Sequence, residues 1–111
     1  MPYERDDGTV QFSLKLPPSL REDVDELRDE RRWSRSKTIV YLMEIGLQAD
    51  CDGVELVDES NIGSQPVISA GTKDSATVEG VEKVAEERYG GSFNSGARYV
   101  IRCGLESMSD N

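Results

Sequence analysis

Three polar side chains near the N-terminus alternate with apolar ones and offer a chemistry of recognition. Gln11, Ser13 and Lys15 are separated by Phe12 and Leu14. Because successive side chains of a β-strand point to opposite faces, a strand here would present an amide, a hydroxyl and an ammonium on one face. These groups suit the base edges of a DNA major groove. An edge strand with one solvated face is the plainer interpretation, and alternation alone favours it.

A second set, of two hydroxyls and two cations, stands at Ser34, Arg35, Ser36 and Lys37. Serine is a frequent helix N-cap, and apolar residues follow at helical spacing, so Ser34 is predicted to open a helix. The free N–H groups and partial positive charge at a helix N-terminus suit a phosphate oxygen. The four residues are therefore candidates for binding a DNA phosphate. N-capping alone is the plainer role for Ser34, and the two roles are compatible.

A strand must position the first set. It is predicted at Val10–Leu16, with Phe12, Leu14 and Leu16 on its apolar face. The pair Pro17-Pro18 ends it, because proline has no N–H to donate to a strand ladder.

Two amphipathic helices are predicted after the prolines. Ser19 with Glu22 three residues later is the signature of a capping box and predicts the start of the first helix. Beyond a narrow apolar stripe this helix is charged, and Trp33 closes it. The second helix is predicted from Ser34 to about Gln48. Its buried face carries Ile39, Leu42, Met43, Gly46 and Leu47.

A strand, a helix, a short turn and a second helix in this order resemble the ribbon-helix-helix family of DNA-binding proteins. The resemblance rests on Gln-Phe-Ser-Leu-Lys-Leu-Pro at 11–17 and on Ser-Arg-Ser-Lys-Thr-Ile at 34–39. In that family two antiparallel strands form a ribbon that enters the major groove, and the N-terminus of the second helix holds a phosphate. The resemblance implies these roles: base reading by Gln11, Ser13 and Lys15, and phosphate binding by Ser34, Arg35, Ser36 and Lys37.

The C-terminal part of the chain repeats the helix pattern. A helix is predicted at Ser75–Arg88, Gly90-Gly91 stops it, and a last helix opens at Ser92. Matched positions are 57 apart before that turn and 58 apart after it: Val24 and Val81, Arg31 and Arg88, Ser34 and Ser92, Tyr41 and Tyr99, Gly46 and Gly104. The predicted fold is mainly α with short β-strands, a strand–helix–helix unit with a degenerate second copy. Two similar helix pairs arising by chance are the alternative.

The second copy needs a strand of its own, predicted at Val67–Lys73. Ser69 and Lys73 would share one face as a second candidate reading edge, although Gly71 disfavours a strand interior. The predicted organisation is a mobile arm at 1–8, a first unit at 9–48, an acidic linker at 49–66 and a second unit at 67–111.

The ribbon can be completed in two ways. The second strand can pair with the first in the same chain, which the repeat and the long linker favour. Alternatively, the first strands of two chains can pair as a homodimer, which the weak apolar face of the second strand favours. We expect the intramolecular form, and with it an asymmetric DNA site, whereas a homodimer prefers an inverted repeat.

The charge balance is acidic, which is unusual for a DNA binder. The net charge is −9, with −2 in residues 1–47 and −7 in residues 48–111. Nine arginines against four lysines on this background indicate a protein that works in concentrated salt, where phosphate-driven binding weakens. An acidic regulator from an ordinary cytoplasm is the alternative.

The sequence is compatible with three classes of function. The first is a DNA-binding transcription regulator of the repressor type, and the second is an antitoxin-like module that binds a partner protein through its acidic C-terminal half. Antitoxin tails are usually disordered until bound, whereas residues 75–108 are predicted as ordered helices, which favours the regulator. An enzyme ranks lowest, because there is no histidine and no convincing nucleophile–base pair.

Cofactors, compartment and partners follow from what the sequence lacks. Cys51 and Cys103 lie far apart and without histidine, so we expect no metal site and a reduced pair rather than a disulfide. With no signal peptide and no long apolar run, the chain is predicted to be cytoplasmic and free of the membrane. The expected partners are double-stranded DNA, a second copy of the unit and, in the antitoxin-like alternative, another protein.

Overall fold

The computed structural model describes residues 3–4, 6, 8–49 and 65–109. In this part of the chain there are three strands and four helices, in this order: β1 (Tyr3–Glu4), β2 (Val10–Leu14), α1 (Pro18–Arg31), α2 (Arg35–Gln48), β3 (Ile68–Thr72), α3 (Ser75–Tyr89) and α4 (Phe93–Ser109). The prediction of a mainly helical protein with short strands is confirmed. The order strand–helix–helix occurs twice, as β2–α1–α2 and as β3–α3–α4.

The sheet is antiparallel, with β2 between β1 and β3. Phe12 is in register with Ala70, and Leu14 with Ile68. Strand pairing is thus the intramolecular one of the two arrangements expected from the sequence. β1 lies within the segment expected to be an arm and was not predicted; it pairs with β2 through Gln11 and Val10.

The inner face of the sheet is completed jointly by both strands. Phe12 and Leu14 are buried there with Ile68 and Ala70. The small Ala70 lies opposite Phe12, whose ring packs against Phe93 with the ring centroids 5.6 Å apart. An aromatic ring from β2 therefore compensates for the weak apolar face of β3. Both strands are shorter than predicted, since β2 stops before Leu16 and β3 lies within 67–73.

The predicted capping box of Ser19 and Glu22 is wrong. α1 begins at Pro18, and its N-cap residue Pro17 makes no side-chain cap hydrogen bond. The Pro17 carbonyl accepts a hydrogen bond from the Arg21 N–H at 2.9 Å. Proline suits the first helical position, because its φ is already helical and the N–H it lacks would have no helical partner there. The N-cap therefore lies two residues before Ser19, which is already inside the helix and cannot cap it.

Helices α2 and α4 cross at the centre of the molecule through two glycines. A Cβ on Gly46 would lie less than 3.0 Å from the backbone of Val100, and a Cβ on Gly104 would clash in the same way with the Leu42 carbonyl oxygen. Gly46 and Gly104 are 58 residues apart, as are Leu42 and Val100. The contact is therefore reciprocal, which means that a local pseudo-twofold axis passes through the crossing.

Two further observations concern parts of the chain away from the crossing. Cys103 is buried in α4 and disulfide-bonded, which contradicts the expected reduced state, and Cys51 lies outside the described residues. Most of the predicted linker, residues 50–64, is also outside them. Across the described ranges, no helix combines the length and the apolar character needed to cross a bilayer.

Candidate nucleic-acid interface

The outer face of the β2–β3 pair is small and polar. Ser13 is exposed and in register with Ser69, which is also exposed, while Gln11 is half-buried and in register with Gly71. Register partners in an antiparallel ladder lie on the same face of the sheet. The face therefore combines one amide and two hydroxyls with one glycine, so three of the predicted base-reading residues share one surface.

The two lysines of the predicted reading edges lie beyond the strands. Lys15 follows β2 and is half-buried, and its backbone N–H donates to Asn94 Oδ1 at 2.9 Å. Lys73 follows β3 and is exposed. Because β3 ends at Thr72, the alternation that grouped Lys73 with Ser69 does not extend to it. In an antiparallel pair these two lysines flank opposite ends of the ribbon.

Ser34 opens α2 as predicted. Its Oγ accepts a hydrogen bond from the Lys37 N–H at 3.1 Å, and its carbonyl accepts one from Thr38 Oγ1 at 2.9 Å. Ser34, Arg35 and Lys37 are exposed. The start of α2 therefore presents a capped N-terminus with two cations at the surface, the arrangement that suits an anion.

The two cations are held by weak contacts. Arg35 Nε lies 3.7 Å from Asp25 Oδ1, in an ion pair whose side chains are 42% and 39% exposed. Lys37 Nζ lies 5.0 Å from the centroid of the Trp33 ring, which packs edge-on against Tyr41. An exposed ion pair contributes at most about 1 kcal/mol. Either cation can therefore turn toward a phosphate at small cost.

A cleft of about 390 Å³ joins the start of α2 to the ribbon. Ser34, Ser36 and Lys37 line it together with Gly71 and Thr72 of β3. Ser36 Oγ accepts a hydrogen bond from the Gly71 N–H at 3.4 Å. The predicted phosphate-binding and base-reading sets are therefore neighbours on one surface.

Glu44 also lines this cleft, and it forms a carboxyl pair with Asp74. Burial raises the pKa of Glu44, and a hydrogen bond that protonated Glu44 donates to the Asp74 side chain, together with the charge of Asp74, raises it further. Asp74 is the N-cap of α3, and hydrogen bonds from the Thr77 side chain and backbone lower its pKa. Glu44 adds a carboxyl to the lining of the cleft, so Ser34, Ser36 and Lys37 are the lining residues that suit an anion.

The N-terminus of α4 repeats the capping of α2 without its cations. Ser92 Oγ accepts from the Ser95 N–H at 3.3 Å, matching Ser34 and Lys37. Phe93, Asn94 and Ser95 stand where α2 has Arg35, Ser36 and Lys37. Sequence reasoning missed Arg98, which is buried and donates from Nη2 to Ser95 Oγ at 3.0 Å; its spacing of three from Ser95 is the signal that could have found it.

Charge on the described surface is divided between two regions. Exposed or half-buried cations surround the turn between α1 and α2: Arg28, Arg31, Arg32, Arg35 and Lys37. Exposed carboxylates cover the outer face of α3: Glu79, Glu82, Glu86 and Glu87.

No model of a known protein family matches the chain, and searches of curated proteins and of solved structures find no match either.

Proposed function

We propose that the protein is a sequence-specific DNA-binding transcription regulator with two ribbon-helix-helix units in one chain. The observation that carries the proposal is the β2–β3 pair, whose polar outer face adjoins the capped, cationic start of α2. A two-stranded ribbon is marginal alone, and here helices lie beneath its apolar face. This arrangement supplies base-reading and phosphate-binding groups on one side of the molecule.

Two reciprocal features support the tandem arrangement. The glycine contacts of the α2–α4 crossing are symmetric, and the caps at Ser34 and Ser92 use the same hydrogen bond three residues on. A third feature is only approximately repeated: Ser36 accepts a backbone N–H from Gly71 of β3, and Asn94 accepts one from Lys15, the residue after β2. The acceptors are 58 residues apart, whereas the donors are 56 apart.

Base reading in this proposal falls mainly to β2. Gln11 suits the N6 and N7 of adenine, Lys15 suits the O6 and N7 of guanine, and Ser13 accepts or donates. The corresponding positions of β3 are Ser69, Gly71 and Lys73, 58 residues on. Because the two strands carry different groups, the preferred DNA site is asymmetric.

Phosphate binding falls to one end of the ribbon. Ser34, Ser36 and the backbone N–H groups behind them face an anion, with Arg35 and Lys37 as cations. The start of α4 has no lysine or arginine at the matching positions. With few phosphate contacts and a net charge of −9, binding depends more on base contacts, which fits operation in concentrated salt.

Variants of the two sets test the proposal on a duplex chosen by selection from random sequence. Gln11→Ala and Lys15→Ala should each cost on the order of 1–3 kcal/mol on that duplex and relax base preference. Arg35→Ala should weaken binding to all duplexes about equally and lower the salt slope by about 1. Glu82→Ala, on the exposed face of α3, is the control. Parent-like affinity and selectivity in both ribbon variants would rule the ribbon out as the reader.

The second candidate is an antitoxin-like module that binds a basic partner protein through the C-terminal half. The exposed carboxylates of α3 are the observation that favours it. Such a module needs no preferred DNA sequence, so the same selection separates the two candidates. An enriched motif supports the regulator, whereas a pool without an enriched motif supports the module.

A further inference from the structure

We infer that a groove between α1 and the C-terminal half of α4 is a docking site for a basic, amphipathic helix of a partner protein. The groove has a volume of about 290 Å³. Its floor is apolar, formed by Leu27 of α1 with Leu105 and Met108 of α4. Amphipathic helices of partner proteins bind with their apolar face in hydrophobic grooves of this kind.

Carboxylates form most of the rim of this groove. Glu26 and Glu30 of α1 and Glu106 of α4 are exposed along it. Among the described residues that line it, the one cation is Arg102, whose Nη1 lies 3.6 Å from Asp23 Oδ2. The Asp23–Arg102 pair is nearly neutral, so the three glutamates give the rim a net negative charge. Lysines and arginines that flank an apolar stripe would complement it.

The other half of the molecule shows that this opening is not a necessary result of the helix packing. Gly80 of α3 corresponds to Asp23, and Leu47 of α2 corresponds to Leu105, at the spacings of the repeat. There the Leu47 side chain lies so close to Gly80 that a Cβ on the glycine would be 2.8 Å from Leu47 Cδ1. At this level of the α2–α3 pair, leucine packs directly against glycine. In the α1–α4 pair the larger Asp23, which is ion-paired with Arg102, stands in place of that glycine.

Charge decides between the occupants that this groove could take. Residues 50–64 of the chain contain five carboxylates and no lysine or arginine, so their charge does not complement the rim. A second copy of the chain carries −9, and DNA is an anion throughout. A partner segment with a cationic and an apolar side is the occupant that both the rim and the floor attract.

The groove is independent of the proposed DNA interface. Asn94, at the start of α4, contacts the end of β2, and Leu105 lies eleven residues further along the helix. At 1.5 Å per residue this is about 16 Å along the helix axis. A partner helix and a DNA duplex can therefore be bound together, and the inference stands whether or not the protein binds DNA.

A model peptide tests the site on the full chain. The probe is a synthetic 18-residue peptide with leucines at helical spacing on one face and lysines elsewhere, compared with a scrambled peptide of equal composition. We expect the helical peptide to bind more tightly and to shift the methyl signals of Leu27, Leu105 and Met108. Glu26→Lys with Glu30→Lys should weaken its binding on the order of tenfold at low salt.

The matched control is Glu82→Lys with Glu86→Lys, the same charge change at the same spacing on the exposed face of α3. It should leave the affinity within about twofold of the parent. Equal weakening by the two pairs, equal binding of the scrambled peptide, or methyl shifts confined to other surfaces would each overturn the docking site. Urea unfolding of both pairs checks that neither has lost the fold, and the methyl map of the parent does not depend on any variant.

Discussion

The crossing of α2 and α4 gives the sharpest test of the fold, because two glycines allow it. A methyl group at Gly46 or Gly104 would lie under 3.0 Å from backbone atoms of the other helix, where 3.4–4 Å is ordinary contact. Backbone atoms cannot rotate away, so the two helices must separate. Overpacking costs about 1–3 kcal/mol, and the gap opened along the interface adds to this. Replacing glycine with alanine in a helix also stabilises the helix by up to about 1 kcal/mol, which offsets part of this cost.

We therefore expect Gly46→Ala and Gly104→Ala each to lower the free energy of unfolding by about 2–3 kcal/mol. That is a large part of the roughly 6–17 kcal/mol that a chain of this length has. The double variant should lose less than the sum, because the separation forced by one methyl also makes room for the other. Gly80→Ala is the control, since its methyl meets only the flexible end of Leu47.

Urea unfolding followed by circular dichroism measures the four variants and the parent. The control should stay within about 1 kcal/mol of the parent. Parent-like stability of Gly46→Ala or Gly104→Ala would refute the close crossing. If the stability losses of the two single variants add fully in the double variant, the reciprocal contact is refuted. Additive losses would mean that the two clashes are independent and lie at separate places.

Three smaller predictions concern single groups and segments. Ser34→Ala should lower stability by about 1 kcal/mol through loss of the α2 N-cap, measured by urea unfolding. Glu44→Gln should raise the urea midpoint at neutral pH: burial and Asp74 raise the pKa of Glu44, so its ionised form opposes folding, and the gain should vanish in acid where Glu44 takes up a proton. A fragment of residues 1–48 should be unfolded by circular dichroism, because β2 and α2 lose β3 and α4; a stable dimeric fragment that binds a palindrome would contradict the intramolecular ribbon.

Local signals predicted the helices well where one signal stood alone. Ser34 before an apolar pattern fixed the start of α2, and Gly90-Gly91 fixed the end of α3, with Gly90 at φ 63°. At the start of α1 two local signals competed. Proline at the first helical position and serine as a cap place that start at different residues, and proline prevailed.

Features that depend on tertiary partners could not be predicted in this way. β1 has two residues, too few to show any alternation, and it exists through its pairing with β2. From the sequence alone, the small Ala70 gives the second strand a weak apolar face. In the structure Ala70 is buried opposite Phe12 of β2, whose ring fills the space that a larger residue would take. The disulfide at Cys103 likewise depends on which residue the fold brings near it.

The candidate site was predictable in its parts and less so in its layout. Alternation identified Gln11 and Ser13, and the repeat spacing identified Ser69, which shares their face. β2 and β3 end before Lys15 and Lys73, so the alternation of side chains along a strand does not predict where these two lysines point. The cleft that joins the start of α2 to β3 needed the strand pairing to be known first.

Selection of duplexes from a random pool by the purified full chain tests DNA reading most directly. The account predicts an enriched, non-palindromic motif that one chain binds, with the preference lost at defined positions in Gln11→Ala. A palindromic motif bound by two chains would contradict the intramolecular ribbon. A pool that remains random after repeated rounds, at low as well as at high salt, would contradict sequence-specific DNA binding itself.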